Sequence, residues 1–169
     1  VYDRANDFNI MNTGATPIQQ ASYMGDVAMM ELLLEYNANW QQPNVFGVTP
    51  MIALTSKSNN ENTRGSGKTE LDVMQGLDVL LEAGADINQK GGRYGETPLH
   101  ASARMNWHTV VTFLVESGAD LYAEDDRGLI PLQYATGDAD TQSLGSFDVI
   151  GELPEMAALL QKMMDENLQ

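Results

Sequence analysis

The stretch GETPLHASARMNWHTVVTFLVESGAD, Gly95 to Asp120, decides the fold. Thr97 stands directly before Pro98. Threonine is a good helix N-cap, and proline suits the first helical position, where its missing N–H costs nothing. The small and apolar residues that follow, Leu99, Ala101 and Ala103, make a short helix able to pack closely. Asn106 breaks that helix, because asparagine tolerates the left-handed conformation of a helix end. Val110, Val111, Phe113 and Leu114 recur at helical spacing and predict a second helix, which Gly118 terminates.

Moving outward from this stretch, the pattern returns. GATPIQQAS from Gly14, GVTPMIALT from Gly47 and GLIPLQYAT from Gly128 align with it, marked by Thr16, Thr49, Thr97 and Ile130. The interval from Thr16 to Thr49 equals that from Thr97 to Ile130, and the one between them is longer. Two equal intervals and one longer interval describe a regular period with an insertion in the second unit. A second landmark keeps step with the first: LLLEYNAN, VLLEAGAD and FLVESGAD each close a second helix, with Asn37 and Gly84 in the place of Gly118. Gly25 does in the first unit what Asn106 does in the third. Each unit therefore reads as helix, turn, helix and extended loop.

The third unit resembles an ankyrin repeat over nearly its whole length, through its Thr-Pro-Leu-His core and terminal Gly-Ala-Asp. The resemblance implies an all-α ankyrin-repeat solenoid of four helix–turn–helix units with β-hairpin loops and a C-terminal capping helix. It places repeats near 14–46, 47–94, 95–127 and 128–169 of a single domain. His100 holds the signature position of a structural hydrogen bond; Gln19, Ile52 and Gln133 replace it elsewhere, and Ile130 replaces threonine. The Thr–His network is therefore expected to weaken in those units. The long insertion and the loop-broken last unit also resemble ankyrin arrays of larger, often exported, bacterial proteins.

The insertion SKSNNENTRGSGKTELD, Ser56 to Asp72, is polar and predicts a surface loop. The last unit is interrupted between residues 136 and 153. Pro154 then opens a helix whose Met156, Leu159, Leu160, Met163 and Met164 face inward, with Gln161, Lys162, Asp165 and Glu166 as a polar outer face. No matching polar cap helix precedes Gly14. Ile18, Met29 and Leu33 are then expected to face water unless upstream sequence or another chain covers them. The start at Val1 suggests a processed or truncated product, and Val1 to Asn12 is too polar for an intact signal peptide.

Composition excludes several function classes. The chain has 169 residues, 43% of them hydrophobic, enough for a continuous core. It has no cysteine, which removes disulfides and thiolate chemistry. Nine basic against 24 acidic residues give a net charge of −15, which repels nucleic-acid phosphates and favours a basic partner surface or simple solubility.

Catalytic signals are weak. NTRGSGKT, Asn62 to Thr69, ends like a phosphate-binding loop, but Asn62 takes the place of the first glycine and no buried strand precedes it. Asp138 and Asp140 start like a calcium loop, but Ser143 and Val149 occupy the positions that need glycine and glutamate. His108 begins a second helix and is expected to be exposed. Glu124 to Asp126 is expected to be a solvated acidic hairpin tip. No metal, no cofactor and no enzymatic activity are expected.

The resemblance implies partner contact on a concave face made by hairpins and first helices. Carried onto this chain, the expected contact residues are Tyr23, Met24, Val45, Phe46, Arg93, Tyr94, Arg104, Met105, Asp126 and Arg127. Trp107, where the family usually has histidine, joins them. Aromatic, methionine and arginine side chains are those enriched at protein interfaces. The expected partner is another protein, with no nucleic acid and no membrane span. The alternative is a structural or regulatory segment of a larger polypeptide or assembly, one attached to an enzyme included.

Overall fold

A computed structural model describes residues 14–56, 67–136 and 153–167. Among them are eight helices: α1 Pro17–Met24, α2 Val27–Glu35, α3 Pro50–Thr55, α4 Glu70–Glu82, α5 Pro98–Arg104, α6 His108–Glu116, α7 Pro131–Thr136 and α8 Pro154–Asn167. They form four antiparallel pairs. The inner helices α1, α3, α5 and α7 stack in one row, and the outer helices α2, α4 and α6 in another. α8 packs on α7 and closes the end. One apolar cluster runs through the stack, from Ile18 to Met164. α8 buries Met156, Leu160 and Met164 and exposes Gln161, Lys162, Asp165 and Glu166, the amphipathic cap expected from its spacing.

Local chemistry sets each boundary. Thr16, Thr49 and Thr97 sit at the N-caps with extended backbone, and proline opens each helix. Gly25 and Asn106 end inner helices at φ +71° and +57°; Asn37, Gly84 and Gly118 follow the outer ones at +60°, +91° and +97°. The residue two places further on turns the chain again. Asn39, Asp86 and Asp120 each accept the backbone N–H two residues ahead, at 3.0, 2.9 and 2.8 Å. That bond is the physical content of the repeated Ala-Asn or Ala-Asp.

The hairpins are tight turns rather than strands. Among the described residues only Gly91 and Glu96 make a β-bridge. Asn44 closes the first hairpin, its side chain accepting from Phe46 and Val48 at 2.9 and 3.0 Å. Asp125 closes the third in the same way, accepting from Arg127 and Leu129 at 2.8 and 2.9 Å. The second hairpin has Gly92 in that position and is longer by one: Glu82 to Thr97 takes one step more than Glu35 to Thr49 or Glu116 to Ile130. Successive hairpins also join by backbone, Gly92 N–H to the Gly47 carbonyl at 2.8 Å and Asp126 N–H to the Tyr94 carbonyl at 2.9 Å.

Three expectations are corrected here. First, Gln19 does not weaken its unit: its carbonyl accepts from Thr16 N–H at 2.7 Å and its amide donates to the Val48 carbonyl at 2.6 Å. His100 makes the same two links, through Nδ1 to Thr97 and Nε2 to the Leu129 carbonyl at 2.8 Å. Gln133 likewise accepts from Ile130 N–H at 2.9 Å. Ile52 alone has no polar substitute; it packs on Gly91, where a Cβ would stand 3.0 Å from Ile52 Cγ1, and Gly91 N–H serves the Glu96 carbonyl instead. Second, the polar stretch ends before Asp72, because Thr69 and Asp72 form a capping box and α4 begins at Glu70. Third, Ile18 is buried at 1% exposure and Leu33 is half-buried against the core, whereas Met29 is 43% exposed as expected.

One glycine gives a test of the hairpin. Gly95 lies at φ +63°, and a Cβ there would run into the Asp126 carboxylate of the next hairpin. Gly95→Ala is expected to cost about 1–2 kcal/mol from the left-handed backbone alone, read as a lowered urea midpoint with the slope unchanged.

Candidate interaction surface

The hairpin tips and the ends of the inner helices carry the residues expected to meet a partner, and the structure sorts them into three groups. Val45, Phe46 and Met24 are open apolar side chains, at 68%, 43% and 48% exposure. Phe46 owes its position to the Asn44 side chain, which fixes the turn beneath it. Arg93 and Asp126 are also exposed, and Met105 is half-buried.

A second group is tied into a network at the seam between the third and fourth units. Asp125 Oδ2 accepts from both Nε and a terminal nitrogen of Arg127, at 2.9 and 2.7 Å, and its side chain is wholly buried. Tyr134 donates to Asp125 at 2.7 Å and lies 3.2 Å from Glu96, which pairs with Arg104 at 3.4 Å. Arg127 also reaches the Tyr134 hydroxyl and stacks over the Tyr94 ring at 4.4 Å, with Arg93 over the same ring at 5.4 Å. Arg104, Tyr94 and Arg127 are thus brought together, but largely to one another. Burial pushes the Tyr134 hydroxyl far above its usual range, and the Glu96 charge adds to the effect. Burial also pushes the Asp125 carboxyl upward, yet the hydrogen bonds from Leu129, Tyr134 and Arg127 outweigh it and hold the group below the usual carboxylate range. Glu124 and Asp126 are solvated as expected; Asp125, at 4% exposure, is not.

The third group surrounds Lys68. Tyr23 is buried at 5% exposure and offers little surface, and Trp107 is half-buried against the core. Lys68 lies between them, its Nζ 5.6 Å from the Tyr23 ring and 5.9 Å from the Trp107 ring, and donates to the Ala53 carbonyl at 2.9 Å. Its stem fills the space over Gly25. Lys68 therefore points at the end of α3 rather than at a phosphate site, and Thr69 caps α4. Residues 62–66 of that stretch, and Asp138 and Asp140 of the calcium-like one, lie outside the described residues. Burial brings the Lys68 amine down to about 7.

The histidines divide. Burial holds His100 below its usual range, against the Leu129 carbonyl and the charges of Glu96 and Asp125. His108, expected to be exposed, is half-buried with Nε2 out of solvent. Its helix needs outside help, since Trp107 at the N-cap has no side-chain acceptor. Glu70 supplies it, accepting from Thr109 and Val110 N–H at 2.8 and 3.3 Å from the first turn of α4. Sequence reading missed Glu70 because the bond crosses from one unit to the next. It missed the role of Asp125 too, although an Asn or Asp three places before the hairpin glycine recurs at Asn44 and Asp125 and could have shown it.

The outer helices carry acidic side chains and no Lys or Arg, whereas the hairpin side mixes both signs, with Glu96, Glu124, Asp125 and Asp126 beside its cations. Among the described residues the cations Lys90, Arg93, Arg104 and Arg127 lie in the hairpin loops or on an inner helix, while Glu31, Glu35, Asp78, Glu82 and Glu116 belong to the outer helices. No helix among the described residues is long and apolar enough to cross a membrane.

Residues 71–144 match a family of three-copy ankyrin repeats and residues 13–45 match a single ankyrin repeat, so the two spans flank α3 and the insertion. The human protein named ankyrin repeat and SOCS box protein 5 is 44% identical over 57 residues, 34% of this chain and 17% of its own length. Its bovine counterpart is 40% identical over 65 residues, 38% and 19% of the two chains. Human neurogenic locus notch homolog protein 1 is 30% identical over 104 residues, 62% of this chain and 4% of its own. The chain spans less than a fifth of the length of these relatives. Sequence period, helix pairs, stacked hairpins and both family matches agree: the chain belongs to the ankyrin-repeat family.

Proposed function

We propose that the chain is a non-catalytic interaction module that holds another protein on the side formed by hairpin tips and inner helices. Ankyrin repeats generally mediate protein–protein interaction, and the relatives are proteins in which such repeats are one part of a longer chain. The observation that carries the choice of face is the exposure of Val45 and Phe46 on the turn that Asn44 holds, with Met24 exposed at the end of α1. Apolar side chains on a preorganised turn lose little entropy on binding and shed water when covered. Arg93 and the Tyr94 stack extend that surface with planar groups suited to hydrogen bonding. The acidic outer helices fit a partner with a basic surface on the other side.

Val45→Ser with Phe46→Ala is expected to weaken a partner captured from the native organism about tenfold or more, as for a central apolar anchor. The thermal midpoint should stay within about 2 °C, since surface substitutions change stability little. Tyr94 is a poor choice for this test, because its loss also disturbs Arg127. Unchanged affinity with both side chains removed would move the binding face elsewhere.

A further inference from the structure

Outer helices in this stack bury one face against the outer helix before them. Aligned by their final glutamates Glu35, Glu82 and Glu116, Met29 corresponds to Gly76 and Val110, and Leu33 to Leu80 and Leu114. Gly76 sits between its own inner helix and the first unit: a Cβ there would stand 2.9 Å from Leu54 Cδ2 of α3 and 3.4 Å from Met30 Cε of α2. Val110 and Leu114 are fully buried, and Leu80 nearly so. On α2 the same row is only partly covered, with Met29 at 43% exposure and Leu33 half-buried, and beside it Leu32 stands at 46% and Tyr36, beyond the helix end, at 80%. This row has the composition of an interior seam, and such a row in water is unfavourable.

Repeat register says what fits it. Arg4-Ala5-Asn6 stands one full period ahead of Asn37-Ala38-Asn39, and that triplet aligns with Gly84-Ala85-Asp86 and Gly118-Ala119-Asp120. Gly14 and Thr16 then stand where Gly47 and Thr49 do. Residues 1–16 thus carry the sequence of the last part of a repeat, the part that follows its two helices. We propose that the partly covered row of α2 is a seam for one more helix pair of the same repeat, carried by polypeptide ahead of Val1, so that the four units continue a longer array. A second copy of the chain is a poorer occupant. Two copies brought together would each carry a net charge of −15, and that repulsion opposes the pairing.

The chain itself supplies the test. Fusing a copy of Thr97–Leu114 directly before Val1 places a new Thr-Pro one full period ahead of Thr16 and restores a whole repeat in phase. The expected result is a thermal midpoint raised by about 5 °C or more, because each added unit contributes a seam, together with reduced binding of an apolar dye. The same fusion shortened to Thr97–Thr112, and so put out of phase, should give neither. Leu32→Asp should lower the midpoint of the in-phase fusion while changing that of the unfused chain by less than about 2 °C. Equal behaviour of the two fusions, or equal effects of Leu32→Asp in both backgrounds, overturns the proposal. So does a dimer of the unfused chain, seen by light scattering, that Leu32→Asp converts to monomer, for the occupant is then a second copy.

Discussion

Asp125→Ala is expected to destabilise the chain by about 3–5 kcal/mol, the usual result of removing one partner from a buried ion pair. One carboxylate does three jobs here. Its Oδ1 closes the third hairpin through Arg127 and Leu129 N–H, and its Oδ2 holds the Arg127 guanidinium and the Tyr134 hydroxyl. Alanine removes the acceptor of both backbone N–H groups and the buried counter-charge of Arg127, and leaves Tyr134 only Glu96 to donate to. Asp125→Asn keeps an Oδ1 acceptor for the two backbone groups and loses the charge opposite Arg127, so roughly half of the loss should remain. The pH dependence has a definite sign. The folded carboxyl lies below its usual range, so its stabilisation is complete above the unfolded value of about 3.9 and is lost as pH falls through the folded one. The gap between wild type and Asp125→Ala should therefore narrow in acid. Urea unfolding measures both effects, and a loss below about 1 kcal/mol at pH 7 would show the network to be a surface ornament.

Lys68→Met should act in the opposite direction, raising stability at pH 7 by about 2–3 kcal/mol. Burial lowers the amine from 10.5 to about 7, and no carboxylate among the described residues pairs with it. At about 1.36 kcal/mol for each pH unit, that lowering corresponds to about 5 kcal/mol, a ceiling. The Tyr23 and Trp107 ring faces offset about 1–2 kcal/mol of it, and the lost bond to the Ala53 carbonyl about 1 kcal/mol more. Between about pH 7 and 10.5 the unfolded chain binds more protons at this site than the folded one, so wild-type stability rises with pH across that window. Methionine abolishes the rise. Parallel stability profiles for the two proteins across that window would sink this account of Lys68.

The sequence carried whatever recurs once in every unit. Thr-Pro at the inner-helix starts, glycine or asparagine at the ends and the Ala-Asx turn are local bonds, each made between near neighbours, so they leave a mark at fixed spacing. The replacement of His100 by Gln19 was misread because the pattern records residue type, whereas the bonds require only an acceptor at one end of a side chain and a donor at the other. Tyr23 was read as open surface because its helix position is open elsewhere in the family; here Lys68, delivered by the insertion, lies across it. The Asp125 turn was legible from Asn44 at the matching place, but the reach of Tyr134 to Glu96 and of Glu70 to α6 was not. Their partners lie across seams, and no periodicity within one unit encodes what the next unit lacks. The exposed half of the candidate surface was easier to read, since Val45, Phe46 and Arg93 sit on turns and are exposed among the described residues.

Glu70 gives the stack an uneven grain. α4 has 13 residues where α2 and α6 have 9, and the extra first turn is what brings this carboxylate to the bare end of α6. In an array whose units touch only their neighbours, stability divides into what each unit holds and what each boundary holds. Finishing one helix with a side chain from the preceding unit moves part of that energy, about 1 kcal/mol for a cap, from the unit to the boundary. Glu70 thereby couples the second unit to the third, as the bonds of Asp125, Tyr134 and His100 couple the third to the fourth. The helix extension that follows the insertion thus adds to a boundary what the third unit's own N-cap lacks.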